Sequence, residues 1–327
     1  MSGNPPSVER KHGERTPVSA ATRPWACLPP VGEPIQLGRA SGGVPGWLAS
    51  GRDGVLVNSG TAALALALQV AVRLRSAQRP EVILPAYGCP DLLAAAYYAG
   101  LEPVLVDVEG DSARYQEASL LAAIGPSTVA VLAVNFLGIP ERLERLAPLC
   151  RERGLLLIED NAQYLPVRFG PDSYAADLVV HSFGRGKPVS QVGGGALLFT
   201  AALAADVRAS LDGAGEESGP SPGAWFLRAL AFNAVLQPSL YGGLLRLPFL
   251  QIGATCYHPL ATIEQLPEWR LQRLIVNIAA YQARERVAQR WLAERLPAVA
   301  GIDDLARQCG CVGRPLLRYP LLCRDRQ

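Results

Sequence analysis

Lys187 follows an apolar run and closes the stretch His181-Ser182-Phe183-Gly184-Arg185-Gly186-Lys187, 27 residues beyond Asp160 in a second polar cluster, Glu159-Asp160-Asn161-Ala162-Gln163. A lysine amine can condense with an aldehyde to a Schiff base, and a carboxylate can hold a pyridine nitrogen protonated so that the ring draws electrons. Together the two clusters point to a pyridoxal phosphate pocket; either alone says little. Asp160 ends an apolar run, where an unpaired buried carboxylate is costly, so it needs a cation. A protonated pyridine nitrogen would serve, and so would an arginine in an ordinary salt bridge. Gln163 could bond a ring hydroxyl, and the small Ala162 allows a ring to approach closely. Ser182 could help hold a phosphate. The plain alternative for Lys187 is an exposed loop lysine.

A third polar cluster, Asn58-Ser59-Gly60-Thr61, opens a helical pattern after the apolar Val55-Leu56-Val57. The Gly60 and Thr61 amides and the Thr61 hydroxyl could receive a phosphate at the positive end of that helix, or Ser59 could be an ordinary cap. The Gly184-Arg185-Gly186-Lys187 run lacks the spacing of a nucleotide-triphosphate loop, and Pro188 follows the lysine.

These clusters need elements to position them. Apolar runs at 55–57, 82–84, 103–108, 129–134, 155–158, 178–181 and 196–199 alternate with helical patterns at 61–75, 90–99, 117–123 and 140–153. That alternation predicts an α/β fold, a mostly parallel seven-stranded sheet between helices, with ligands at the carboxyl ends of the strands. The glycine run 193–195 turns the chain into the last strand, which need not be parallel. Residues 1–34 read as a disordered arm, 35–265 as the large cofactor-binding domain with an apolar insert at 224–250, and 266–296 as one long connecting helix. Residues 297–327, with a strand at 316–323, read as the start of a C-terminal small domain.

Composition narrows the function. With 31 basic and 29 acidic residues the net charge is +2, too small a field for nucleic acid to be the expected partner. Seven irregularly spaced cysteines, with no secretory signal, suit reduced thiols in a cytoplasm, and three histidines give no metal site. The apolar 224–250 segment carries Arg228, Asn233, Gln237, Pro238 and Arg246, which argues against a membrane span; it suits a dimer surface or a peripheral membrane contact.

Read in order, Ser59-Gly60-Thr61-Ala62-Ala63-Leu64, Leu84-Pro85-Ala86-Tyr87, Pro103-Val104-Leu105-Val106-Asp107, the two clusters around Asp160 and Lys187, and Gly193-Gly194-Gly195 resemble the DegT/DnrJ/EryC1/StrS family of pyridoxal phosphate enzymes, over about residues 54–200. The resemblance implies the aspartate aminotransferase fold, with Lys187 as the Schiff-base lysine, Asp160 on the pyridine nitrogen, Gln163 on the ring hydroxyl, and Gly60, Thr61 and Ser182 on the phosphate. It further implies a homodimer moving an amino group from an amino acid donor such as glutamate to a keto-sugar, nucleotide-linked in most of the family. Sugar dehydratases of this family typically lack the lysine, so Lys187 argues for amino transfer. Three departures stand out. Cys89 takes the place of the family's stacking aromatic, for which Tyr87 is the substitute at hand. Residues 251–259 show no match to the asparagine that reaches a partner's phosphate. The C-terminal domain is only begun, which leaves a truncated, non-catalytic binding or regulatory protein as the alternative.

Overall fold

The computed structural model describes residues 32–40, 45–247, 256–296, 299 and 301–323. Each of the seven apolar runs becomes a strand: β1 (Asp53–Val57), β2 (Glu81–Pro85), β3 (Glu102–Val106), β4 (Thr128–Val134), β5 (Leu156–Asp160), β6 (Leu178–Ser182) and β7 (Gly195–Phe199). They form one sheet in the order β1-β7-β6-β5-β4-β2-β3. Every residue of β4 is buried, as an unbroken apolar strand covered on both faces by helices should be. Strand β7 alone runs antiparallel, against both β1 and β6. The chain reverses through Gly193 and Gly194, whose φ values of 132° and 103° lie in the region that L side chains rarely adopt.

Helices α1 (Gly60–Leu74), α2 (Asp91–Tyr98), α3 (Glu117–Ala123) and α4 (Leu143–Arg153) alternate with the strands. The Ala/Leu pattern of α1 buries Ala62 through Leu68 against the sheet, and each fully buried leucine contributes about 1.5–3 kcal/mol. Gly154 stops α4 with a left-handed φ of 63°. After β7 come α5 (Ala204–Leu211), α6 (Pro222–Val235) and α7 (Pro238–Leu244). The expected apolar insert at 224–250 is thus a helix pair, with residues 248–250 outside the described residues. Among the described residues no helix is long and apolar enough to cross a membrane.

The long helix expected over 266–296 is instead two helices, α8 (Glu268–Ala283) and α9 (Val287–Arg295). Arg284, at φ −71° and ψ 132°, breaks it. The Arg286 guanidinium donates to the Tyr281 and Arg284 carbonyls and lies 4.8 Å from the Tyr281 ring centroid, so the freed carbonyls find a side-chain donor. Gln289 Nε2 then ties α9 to the Val312 and Arg314 carbonyls.

The strand expected over 316–323 shortens to β9 (Leu321–Cys323), paired antiparallel with β8 (Ile302–Asp304), and α10 (Leu305–Gln308) lies between them in the chain. The reason is that the Leu316 N–H donates to Gln289 Oε1 and the Leu317 N–H to the Leu137 carbonyl, rather than to a ladder. Residues 1–31 of the expected arm lie outside the described residues. The segment that follows packs on the body: Ile35 is buried beside Trp225 and Phe232, and Asn233 bonds both its N–H and its carbonyl.

Candidate functional site

The sheet order brings the three polar clusters to one edge. Because β7 runs antiparallel, its first residue, Gly195, sits between Val57 at the end of β1 and Ser182 at the end of β6. A Cβ on Gly195 would run into the Ser59 carbonyl, and one on Gly60 would lie 2.6 Å from both Cβ and Oγ of Ser182. Glycine at these two positions is what lets the start of α1 close on the end of β6. Ser59 Oγ accepts the Ala62 N–H at 3.0 Å as the N-cap. The Gly60 and Thr61 amides, which precede the first intrahelical donor, stay at the positive end of the helix. A cavity of about 280 Å³ lies there, lined by Asn58, Ser59, Thr61, Asp91 and His258 among others.

Asp160 ends β5, beside β6, and is buried. Its Oδ1 accepts the Ala162 N–H at 2.8 Å. Burial pushes the carboxyl upward, while that N–H and the charge of Lys187 act in the opposite direction. Lys187 is half-buried and opens onto a second cavity of about 380 Å³, walled by Glu33, Tyr281, Arg284, Arg286 and Arg318 among others. Gln163 is held by its carbonyl: Leu137 N–H donates to Oε1 at 2.8 Å, which leaves the amide NH₂ as a donor. Lys187, Asp160, Ser182, Gly60 and Thr61 therefore share one sheet edge, and Gln163 stands one turn beyond Asp160.

Tyr87 exposes 70% of its surface and tilts against Phe136, with ring centroids 5.7 Å apart. Burial pushes the Cys89 thiol up, against the Asp91 N–H and the charge of Lys187. Of 251–259, residues 251–255 lie outside the described residues, and His258 borders the cavity above Ser59 and Thr61.

One participant was passed over in the sequence. Asn135, directly after β4, is fully buried; its Nδ2 donates to Glu159 Oε1 at 2.9 Å and to Asn161 Oδ1 at 2.5 Å, and its Oδ1 accepts the Glu141 N–H. This network fixes the backbone on both sides of Asp160. Burial raises the Glu159 carboxyl, against the pull of its two amide donors. A polar residue closing the apolar run 129–134 was the available signal. A second signal lies in the basic residues: of 31, only Lys11 and Lys187 are lysines. An arginine cannot supply a neutral amine at ordinary pH, so Lys187 is the one described residue with that chemistry.

The sequence profile of the DegT/DnrJ/EryC1/StrS aminotransferase family matches residues 49–234, more than half of the chain. The chain is 38% identical over 108 residues to the dTDP-4-dehydro-2,3,6-trideoxy-D-glucose 4-aminotransferase of Saccharopolyspora spinosa, covering 33% of this chain and 27% of that one. It is 33% identical over 150 residues to the UDP-N-acetyl-3-dehydro-alpha-D-glucosamine 3-aminotransferase of Acidithiobacillus ferrooxidans, covering 45% of this chain and 40% of that one. The matched segments thus span less than half of those relatives. Among solved structures, DesI with its TDP-sugar product shares the fold at a TM-score of 0.56 and 23% identity, covering 86% of this chain and 70% of that one.

Proposed function

The chain belongs to the DegT/DnrJ/EryC1/StrS aminotransferase family, and from that premise we propose that it is a pyridoxal phosphate-dependent aminotransferase that moves an amino group from an amino acid to a nucleotide-linked keto-sugar. The observation that carries this reading is the convergence of Lys187, Asp160, Ser182 and the Gly60–Thr61 helix start on one sheet edge, closed by Gly195. The residues fit the cofactor. A side chain at Gly60 would fill the notch between α1 and β6 where a phosphate would have amide donors, and the buried Asp160 is a carboxylate that burial pushes up despite the charge of Lys187.

When bound, the cofactor supplies an aldehyde carbon for reversible linkage to an amine and a ring that draws electrons from that carbon. Asp160 keeps a proton on the pyridine nitrogen, because a desolvated carboxylate is most stable against a cation. Lys187 Nζ would hold the cofactor at its aldehyde carbon and, as a free amine, would carry the proton taken from the donor's α-carbon to that aldehyde carbon. Gln163 Nε2 donates to the ring oxygen, oriented by the Leu137 N–H on its other end. Gly60 and Thr61 N–H and Ser182 Oγ bind the phosphate.

The finer parts rest on separate grounds. The relatives' names support a keto-sugar acceptor and an amino donor. Exposed Phe226, Leu227, Leu230, Leu240 and Leu245 on α6, α7 and the residue after it support a homodimer. Six unbridged cysteines among the described residues support a reducing cytoplasm. Purified protein mixed with pyridoxal phosphate is expected to develop a visible absorbance band that glutamate bleaches, with borohydride reduction fixing the cofactor on the Lys187 peptide. A featureless spectrum, or an unaltered band in Lys187→Ala, overturns the reading. A band that no amino donor bleaches favours the non-catalytic binding module that Cys89 brings to mind.

A further inference from the structure

Arg270, on α8, is 3% exposed and has no part in the site as described so far. Its Nη2 donates to the Gln191 carbonyl at 3.1 Å and to the Gly193 carbonyl at 2.8 Å. Nη1 faces Glu217 at 3.4 Å, and the guanidinium lies 5.9 and 5.6 Å from the ring centroids of Trp225 and Trp269. Trp225, fully buried on α6, sends its Nε1–H to the same Gln191 carbonyl at 2.9 Å. Two donors from two helices therefore grip one short turn.

That turn is laced to both walls of the phosphate notch. The Gln191 N–H donates to the Phe183 carbonyl at 2.7 Å, and the Phe183 N–H donates to the Gly194 carbonyl at 2.8 Å; Phe183 adjoins Ser182. The Gly194 N–H donates to the Asn58 carbonyl at 3.0 Å, and Asn58 adjoins Ser59, which precedes Gly60. A shift of the turn moves Ser182 and the start of α1 relative to each other, and Gly60 leaves no slack between them. A buried guanidinium repays its desolvation only through its partners, and both carbonyls that Arg270 bonds, those of Gln191 and Gly193, belong to this turn.

We infer that Arg270 and Trp225 are positioning residues for the cofactor phosphate, which gives the apolar 224–250 segment a role inside its own chain. The inference rests on the proposed cofactor. It predicts a loss confined to the phosphate: Arg270→Lys keeps the charge but not the fork, and Trp225→Phe keeps the ring but not the N–H. Dissociation constants for pyridoxal 5′-phosphate and for pyridoxal, which lacks the phosphate, are measured by fluorescence titration on wild type and both variants. Pyridoxal phosphate is expected to bind about ten-fold more weakly to each variant, with pyridoxal changed less than two-fold. Equal weakening of both compounds, or no weakening of either, overturns the inference while leaving the proposed function intact. Wild type that binds neither compound sinks the proposed function, and this inference with it. Because each constant is read from a titration curve, a partly unfolded preparation lowers the amplitude and not the ratio.

Discussion

Replacing Gly60 with alanine puts one methyl group where the structure has no room. The new Cβ would lie 2.6 Å from Cβ and Oγ of Ser182 and 3.3 Å from its Cα. Carbon atoms rest about 3.5–4.0 Å apart, so the start of α1 and the end of β6 must part by about 1 Å. Oγ can rotate away, but Cβ cannot. Overpacking of this kind costs about 1–3 kcal/mol, and the stiffer unfolded chain of an alanine variant returns about 0.4–1 kcal/mol. A net loss of about 1–2 kcal/mol lowers Tm by roughly 2–8 °C in a domain of this size. The same displacement would pull the Gly60 and Thr61 amides off the phosphate proposed to bind there. Losing one charge-assisted hydrogen bond, worth about 1.5–3 kcal/mol, weakens pyridoxal phosphate binding at least about ten-fold. Thermal melts and cofactor titration read both effects. Gly125→Ala, with nothing within 4 Å of the added Cβ, is the neutral control. Ser182→Gly removes the obstructing atoms, so Gly60→Ala made in that background should cost about 1 kcal/mol less than alone, a coupling that a double-mutant cycle isolates. Gly60→Ala protein that melts and binds like wild type would refute the close approach of α1 to β6.

Two further outcomes concern titratable groups near the site. His181 is enclosed, with its Nε2 2.8 Å from the Tyr174 hydroxyl, and burial pulls its pKa down from 6.5 to about 4. Its contribution to stability is therefore complete above the unfolded value and is lost as pH falls toward about 4, because the unfolded chain takes up a proton that the folded chain refuses. The two and a half pH units correspond to about 3 kcal/mol. His181→Asn, which cannot titrate, should flatten the urea-unfolding stability between pH 6.5 and 4 by that amount, and parallel curves for the two proteins would count against it. Cys89 lies where the charge of Lys187 reaches it, and burial raises its thiol pKa. Alkylation followed at peptide level should accelerate with pH and be slowed by pyridoxal phosphate at Cys89 but not at Cys256, which is exposed as Cys89 is. Equal protection of both thiols, or of neither, places the cofactor elsewhere.

The local features of this site were legible because they are written in short stretches of chain. Apolar runs of three to six residues gave the strands, Ser59 the start of α1, Gly154 the end of α4, and the glycines at 193–195 a reversal. The break at Arg284 was not legible, since Arg284, Glu285 and Arg286 are ordinary helix formers; a long-range tie from Gln289 and a cation over Tyr281 decide it. Asn135 and Arg270 were missed for a related reason. Each is one polar residue in or beside an apolar pattern, and its role comes from carbonyls or carboxylates distant in sequence.

By itself the sequence determined which residue could do amine chemistry, since Lys187 has no described rival, and which strand ends carry polar groups. What only the tertiary structure decided is their neighbourhood. Strand order is a choice among non-local pairings that cost similar loop entropy, and local propensity does not rank them. Inserting β7 antiparallel between β1 and β6 placed Gly195 between Val57 and Ser182, and so brought Gly60, 122 residues away in the chain, against Ser182. That contact makes a helix start and a serine two sides of one notch, the proposed phosphate site, and Arg270 and Trp225 bond the turn between them.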